Sequence, residues 1–123
     1  MQKPLALVVD DEPAIRAIIA AILDQDGFQT VEAKDGVQGL ELARQLEGGL
    51  DLLISDIVMP NMDGLSLAES VRAQFPALPI ILISGFSNPR GEFEFVRKPF
   101  VPATLQAAVK KAIAPKLNTA CSS

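Results

Sequence analysis

The sequence predicts an α/β domain in which one parallel sheet is covered by helices on both faces. Three observations carry this. The runs Leu5–Val9, Leu52–Ile54 and Ile80–Ile83 are aliphatic without alternation, which marks strands buried on both sides rather than on one. Between them apolar residues recur at helical spacing. Strand and helix signals therefore alternate along the chain, the pattern of a parallel sheet with right-handed crossovers.

Taken in order, Leu5–Val9 is a strand that ends at Asp10-Asp11-Glu12. Pro13 suits the first turn of a helix, where its missing N–H costs nothing. Ile15, Ile18, Ile19, Ile22 and Leu23 form that helix's apolar face, and Gly27 is expected just past its end. Phe28–Ala33 reads as a second strand and Asp35-Gly36 as a turn. Val37, Leu40, Leu42, Ala43 and Leu46 give a second helix that stops at Gly48-Gly49. The third strand, Leu52–Ile54, leads to Asp56 and into a loop rich in Pro, Asn, Asp and Gly, from Met59 to Gly64. Leu65, Leu67, Ala68 and Val71 belong to a third helix, punctuated by Pro76 and Pro79. The fourth strand, Ile80–Ile83, closes on Ser84-Gly85, and Phe93–Arg97 is a short fifth. Pro102 starts a last helix with Leu105, Ala108, Val109 and Ile113 inward, and Pro115 is expected to end it. Residues 1–115 are thus read as one domain and 116–123 as a flexible tail or linker stub.

Composition narrows the function. The 123 residues are 49% hydrophobic but only 5% aromatic, so the core is aliphatic, with neither Trp nor Tyr. No apolar run reaches the ~18 residues of a membrane span, and Met1-Gln2-Lys3-Pro4 does not read as a leader. A single cysteine, Cys121, forms no internal disulfide and fits a reducing compartment, so a cytoplasmic location is expected. The net charge of −4 argues against direct nucleic-acid binding. With no histidine, the chain has no imidazole base, no imidazole metal ligand and no phosphohistidine of its own.

The polar groups gather at strand ends: Asp10 and Asp11 on the first strand, Asp56 on the third, Ser84 on the fourth and Lys98 on the fifth. In a parallel sheet these ends share one edge, where open α/β sheets place their chemistry. Three carboxylates brought together repel one another and raise each other's pKa unless a cation is present. Oxygen ligands without His or Cys suit Mg²⁺. A lysine beside them adds positive charge, as phosphoryl transfer to an oxygen nucleophile requires.

Val8-Val9-Asp10-Asp11-Glu12, Asp56 with Met59-Pro60 and Asp63-Gly64, Ile83-Ser84-Gly85, and Lys98-Pro99-Phe100 resemble, in order, the motifs of the response-regulator receiver domain of two-component signalling, including its chemotaxis regulators. The resemblance spans residues 4–114. It implies a flavodoxin-like sheet of order 2-1-3-4-5. It implies Asp56 as phosphoacceptor, taking its phosphoryl group from a partner histidine kinase or phosphotransfer protein. It implies Mg²⁺ held by Asp11, Asp56 and the backbone carbonyl of Val58, with Asp10 acting through metal-bound water. Lys98 would pair with the phosphoryl group, Ser84 would bond one of its oxygens, and Ser84 and Phe95 would form the switch, Phe95 lacking the hydroxyl of the Tyr common there. It implies a cis Lys98–Pro99 bond. Glu12 is open between a helix-end role and support of the metal. Val58 and Phe86 sit at positions that gate water, and both are apolar, so slow autodephosphorylation is expected.

Two other readings compete. An aspartyl-nucleophile phosphatase of the haloacid-dehalogenase type would carry Asp-x-Asp on its first strand, where this chain has adjacent Asp10-Asp11. A nucleotide-binding module would need a glycine-rich phosphate loop that is missing. The chain also departs from receivers in one place. Only Gly85–Glu92 lies between the fourth and fifth strands, eight residues containing Asn88-Pro89 and two glycines. The helix usual there is expected to be shortened or absent, with Phe86, Phe93 and Phe95 filling its space. A homodimer, if formed, would be weak through the usual face or use another. The downstream target or output domain is not specified by the sequence.

Overall fold

The computed structural model describes residues 3–46, 48–85 and 93–122, with side chains as far as Ile113. Each of the five expected strands is present: β1 (Leu5–Val9), β2 (Gln29–Ala33), β3 (Leu52–Asp56), β4 (Ile80–Ser84) and β5 (Glu94–Arg97). The helices are α1 (Pro13–Gln25), α2 (Gly36–Gln45), α3 (Gly64–Gln74) and α4 (Pro102–Ser122). All strand pairs are parallel and the order is β2-β1-β3-β4-β5, the flavodoxin-like arrangement expected.

Side chains alternate across the sheet, so the core divides into two layers. Ala6, Val8, Ile54, Ile81, Ile83 and Val96 face α1 and α4, meeting Ile19, Leu23, Leu105 and Val109. Leu7, Val9, Leu53, Ile80 and Leu82 face α2 and α3, meeting Leu40, Ala43, Leu67 and Val71. β3 and β4 are buried along their whole length, which is why neither showed an alternating pattern.

The helix ends follow from local chemistry. Past α1, Gly27 takes φ +88°. Its N–H donates to Asp24 O and that of Phe28 to Leu23 O, the paired bonds of a left-handed helix stop. Asp35 and Asp63, read from sequence as turn residues, are the N-caps of α2 and α3, accepting from Gln38 N at 2.8 Å and Ser66 N at 2.7 Å.

One helix end differs from the reading. α4 runs through Pro115 to Ser122 rather than stopping at the proline. Pro115 removes one hydrogen bond, to the carbonyl four residues back, but the good helix formers Leu117 and Ala120 lie beyond it.

Between β4 and β5 no helix stands among the described residues. Phe86 and most of the connecting segment, residues 86–92, lie outside them. The other two phenylalanines pack on the sheet. Phe93 is buried against the α3 layer, its ring 4.0 Å beneath the Arg72 guanidinium, and Phe95 packs half-buried on the same layer.

Candidate functional site

The parallel topology carries the ends of β1, β3, β4 and β5 to one edge, and the polar residues of the sequence converge there. Carboxylate oxygens of Asp10, Asp11 and Asp56 lie within 4.8 Å of one another. Lys98 Nζ reaches Asp56 Oδ2 at 3.3 Å and Asp10 Oδ2 at 3.4 Å. Asp10 and Ser84 are buried, Asp56 is 7% exposed, and Asp11 is exposed. Strand pairing extends into the site: Ile57 N–H donates to Ile83 O at 3.0 Å, and Lys98 N–H to Ser84 O at 2.8 Å. The Lys98–Pro99 bond is cis, as the resemblance implied.

Burial sets the protonation balance. It pushes the Asp56 carboxyl up from the ordinary carboxylate range, opposed by the Lys98 ammonium, while Asp11 repels. Burial lifts Asp10 as well, opposed by the Glu12 N–H on its Oδ1 at 2.9 Å, with repulsion from Asp56 adding to the lift. Desolvation works against the Lys98 charge, but the attraction of Asp10 and Asp56 outweighs it and holds the ammonium above its usual value. Mutual repulsion, the cause expected from sequence, is thus present but smaller than desolvation. A site that disfavours its own carboxylate charges gains from an added cation. Three converging oxygen donors with no nitrogen or sulfur ligand fit a hard ion such as Mg²⁺. Glu12 is the N-cap position of α1 without a side-chain capping bond, and it is not part of the three-carboxylate group.

Three sets of contacts at the site were not read from the sequence. Arg16 of α1 donates from Nη1 to the Asp10 backbone carbonyl at 2.7 Å and from Nε to Glu32 Oε1 at 3.1 Å. Its sequence signal was a lone cation amid Ile15, Ile18 and Ile19. The loop after Asp56 is fixed by Gly64, whose N–H donates to Ile57 O at 2.8 Å. A Cβ on Gly64 would overlap the Asp56 carbonyl oxygen. Ser55, beside the phosphoacceptor candidate, donates its hydroxyl to Asp56 O at 2.8 Å. Val58 is 60% exposed and Phe95 lies beside Leu82 in the sheet register, two positions before Ser84. No described helix is long and apolar enough to cross a membrane.

Comparison with known proteins shows the family. A model of the response regulator receiver domain matches residues 6–110. The sensor kinase CckA of Brucella abortus is 34% identical over 113 residues, covering 85% of this chain and 12% of the kinase. The DNA-binding transcriptional regulator NtrC of Escherichia coli K12 is 34% identical over 122 residues, covering 92% of this chain and 25% of the regulator. The chain therefore spans only a small part of these relatives. Among solved structures, the receiver domain of the hybrid histidine kinase CckA superposes with a TM-score of 0.79 at 36% identity, covering 89% of this chain and 98% of that one. The chemotaxis protein CheY4 of Vibrio cholerae gives 0.80 at 28% identity, covering 89% and 98%. With its sheet order, its acidic edge and a match over most of its length, the chain belongs to the response regulator receiver domain family.

Proposed function

We propose that the chain is a signalling receiver that accepts a phosphoryl group on Asp56, with Mg²⁺, from the phosphohistidine of a partner kinase or phosphotransfer protein. The observation that carries this is the meeting of Asp10, Asp11 and Asp56 oxygens within 4.8 Å, with Lys98 across Asp10 and Asp56. Asp11, Asp56 and the Val58 backbone carbonyl would hold the ion, and Asp10 would act through its bound water. When bound, Mg²⁺ supplies positive charge for the phosphoryl oxygens.

The chain's own groups do the rest. An Asp56 oxygen forms a bond to phosphorus as the P–N bond to the partner imidazole breaks. The imidazole leaves with the electron pair and takes its proton from solvent. Lys98, already paired with Asp56, has donors to follow the charge onto the phosphoryl group. Ser84 supplies a hydroxyl to a phosphoryl oxygen. Because Leu82 pairs with Phe95 and Ser84 with Arg97, a pull on Ser84 passes to β5 and to half-buried Phe95, altering a partner-binding surface. Hydrolysis of the acyl phosphate is slow, since Val58 offers no hydrogen bond to water; the reading of Phe86 falls outside the described residues. Catalysis is confined to this self-transfer and self-hydrolysis.

The working unit is proposed as residues 1–115, with 116–123 as a tail or linker stub that begins within the last turns of α4; the family match over residues 6–110 lies inside that unit. The setting is the cytoplasm. The partners are a histidine kinase or phosphotransfer protein and a downstream target or output domain, without direct contact to nucleic acid or membrane. The test is intact-mass measurement after incubation with acetyl phosphate. A single phosphate adduct should form with Mg²⁺, vanish in EDTA, and be missing from Asp56→Asn. An adduct that persists in that variant, or forms equally in EDTA, overturns the assignment.

A further inference from the structure

The loop between β3 and α3 is fastened at both ends. Its base is closed by the Gly64 N–H on Ile57 O. Its tip is tied to another loop: Asn61 Nδ2 donates to Asp35 Oδ2 at 2.9 Å, across 26 positions of sequence. Beside that bond Met62 lies so close to Gly36 that a Cβ there would overlap the Met62 carbonyl oxygen and side chain. Asp35 is a firm anchor. It is 7% exposed, and its other oxygen caps α2 through Gln38 N at 2.8 Å. Asn61 reaches it from a left-handed backbone, φ 69°, which few residues other than Gly and Asn adopt cheaply.

Between the two fastenings lies Val58, whose side chain is turned out to solvent. We infer that Asp35 and Asn61 are positioning residues for the cation site, tying the loop to the first turn of α2 so that the Val58 carbonyl is fixed beside Asp56 before an ion arrives. The inference rests on the cation reading given above, and it adds two residues that touch neither ion nor phosphoryl group. Its physical basis is preorganisation. A loop already held in its binding shape loses no further freedom on binding, whereas an untied one must be ordered at the expense of affinity.

The experiment is Mg²⁺ titration by calorimetry, in parallel with thermal unfolding in EDTA. Asn61→Gly is the informative variant, because it keeps the positive φ without strain and removes only the amide. Its Mg²⁺ affinity should fall roughly five- to tenfold, the scale of one net hydrogen bond in a folded protein. The rate of phosphorylation by acetyl phosphate at saturating Mg²⁺ should stay within about twofold of the parent, since the loss is one of ion affinity. The reciprocal pair Asp35→Asn with Asn61→Asp exchanges donor and acceptor while leaving an oxygen to cap Gln38, and should restore affinity to within about twofold. Parent protein that takes up no Mg²⁺ would overturn the cation reading and this inference with it. Parent protein that binds Mg²⁺ while Asn61→Gly binds it equally well overturns this inference alone. If Asn61→Gly does not fold, Asp35→Ser, whose hydroxyl can still cap α2 but which lacks the second oxygen that Asn61 reaches, is titrated against the same criteria.

Discussion

Replacing Gly64 by Ala sets two effects of opposite sign against each other. Gly64 is the first residue of α3, and Ala is the better helix former by up to ~1 kcal/mol in a helix interior, less at its first position. Against this, the added Cβ would overlap the Asp56 carbonyl oxygen and stand 2.8 Å from its carbonyl carbon and 2.9 Å from Ile57 Cα. All three are backbone atoms at or just past the end of β3, with no rotamer to yield. The Gly64 N–H to Ile57 O bond holds the same pieces together, so relief of the overlap stretches that bond. Overpacking of this kind costs about 1–3 kcal/mol, and strain should win by roughly 1–2 kcal/mol. With an unfolding entropy near 2.1 cal/mol/K per residue, a chain of 123 residues loses about 4 °C of Tm per kcal/mol, so a drop of roughly 4–8 °C is expected. Thermal unfolding followed by circular dichroism in EDTA measures it. Gly85→Ala is the control: it is exposed, and a Cβ there meets nothing within 4 Å, so Tm should hardly move. A Gly64→Ala protein as stable as the parent, or more stable, would refute the close-approach argument.

Other substitutions test other parts of the molecule. Backbone donation from Gln38, then the Asn61 amide, holds the Asp35 carboxyl below the ordinary carboxylate range. The folded state thus binds that proton more weakly than the unfolded chain does. The stabilisation is complete above about pH 4 and is lost as pH falls through the lower folded value. The stability gap between parent and Asp35→Ala, from urea midpoints, should therefore shrink on acidification below about pH 4; a gap that widens there contradicts the assignment. Leu67 is fully buried between α3 and the sheet, and Leu67→Ala should cost about 2–5 kcal/mol in urea unfolding, whereas a loss below ~1 kcal/mol would mean the layer is loosely packed. Val58→Asn, at a 60% exposed site, should speed decay of the acyl phosphate while changing stability by less than ~0.5 kcal/mol. Decay followed by mass at unchanged or slower rate would remove Val58 from the control of hydrolysis.

The strands were legible because β1, β3 and β4 are buried on both faces, and such strands announce themselves as unbroken aliphatic runs. Asp10, Asp56, Ser84 and Lys98 were legible because each directly ends or follows a strand, and parallel topology then does the gathering. What stayed hidden was whatever joins separate loops. Asp35 and Asn61 each look like an ordinary turn residue, and nothing in the linear order pairs them. Asp63 could have been found, since an Asp-Gly step directly before the apolar spacing of Leu65, Leu67 and Ala68 is also a helix start. Arg16 was hidden because one partner is a backbone carbonyl, which every residue has, and the other, Glu32, lies on a different element 16 positions away. The end of α4 was misplaced because a proline was treated as an absolute stop rather than as the loss of one bond.

A ring of chain closed at Ile57–Gly64 and pinned at Asn61 cannot absorb an added or deleted residue without moving one of its fastenings. The number of residues in this segment is thereby set by geometry, while the identity of Val58 and Pro60, both turned outward, is not. Variation at this rim has one inexpensive form: exchange of side chains at constant length. Substitution of those two outward side chains at constant length leaves both fastenings, and the carboxylates behind them, as they are.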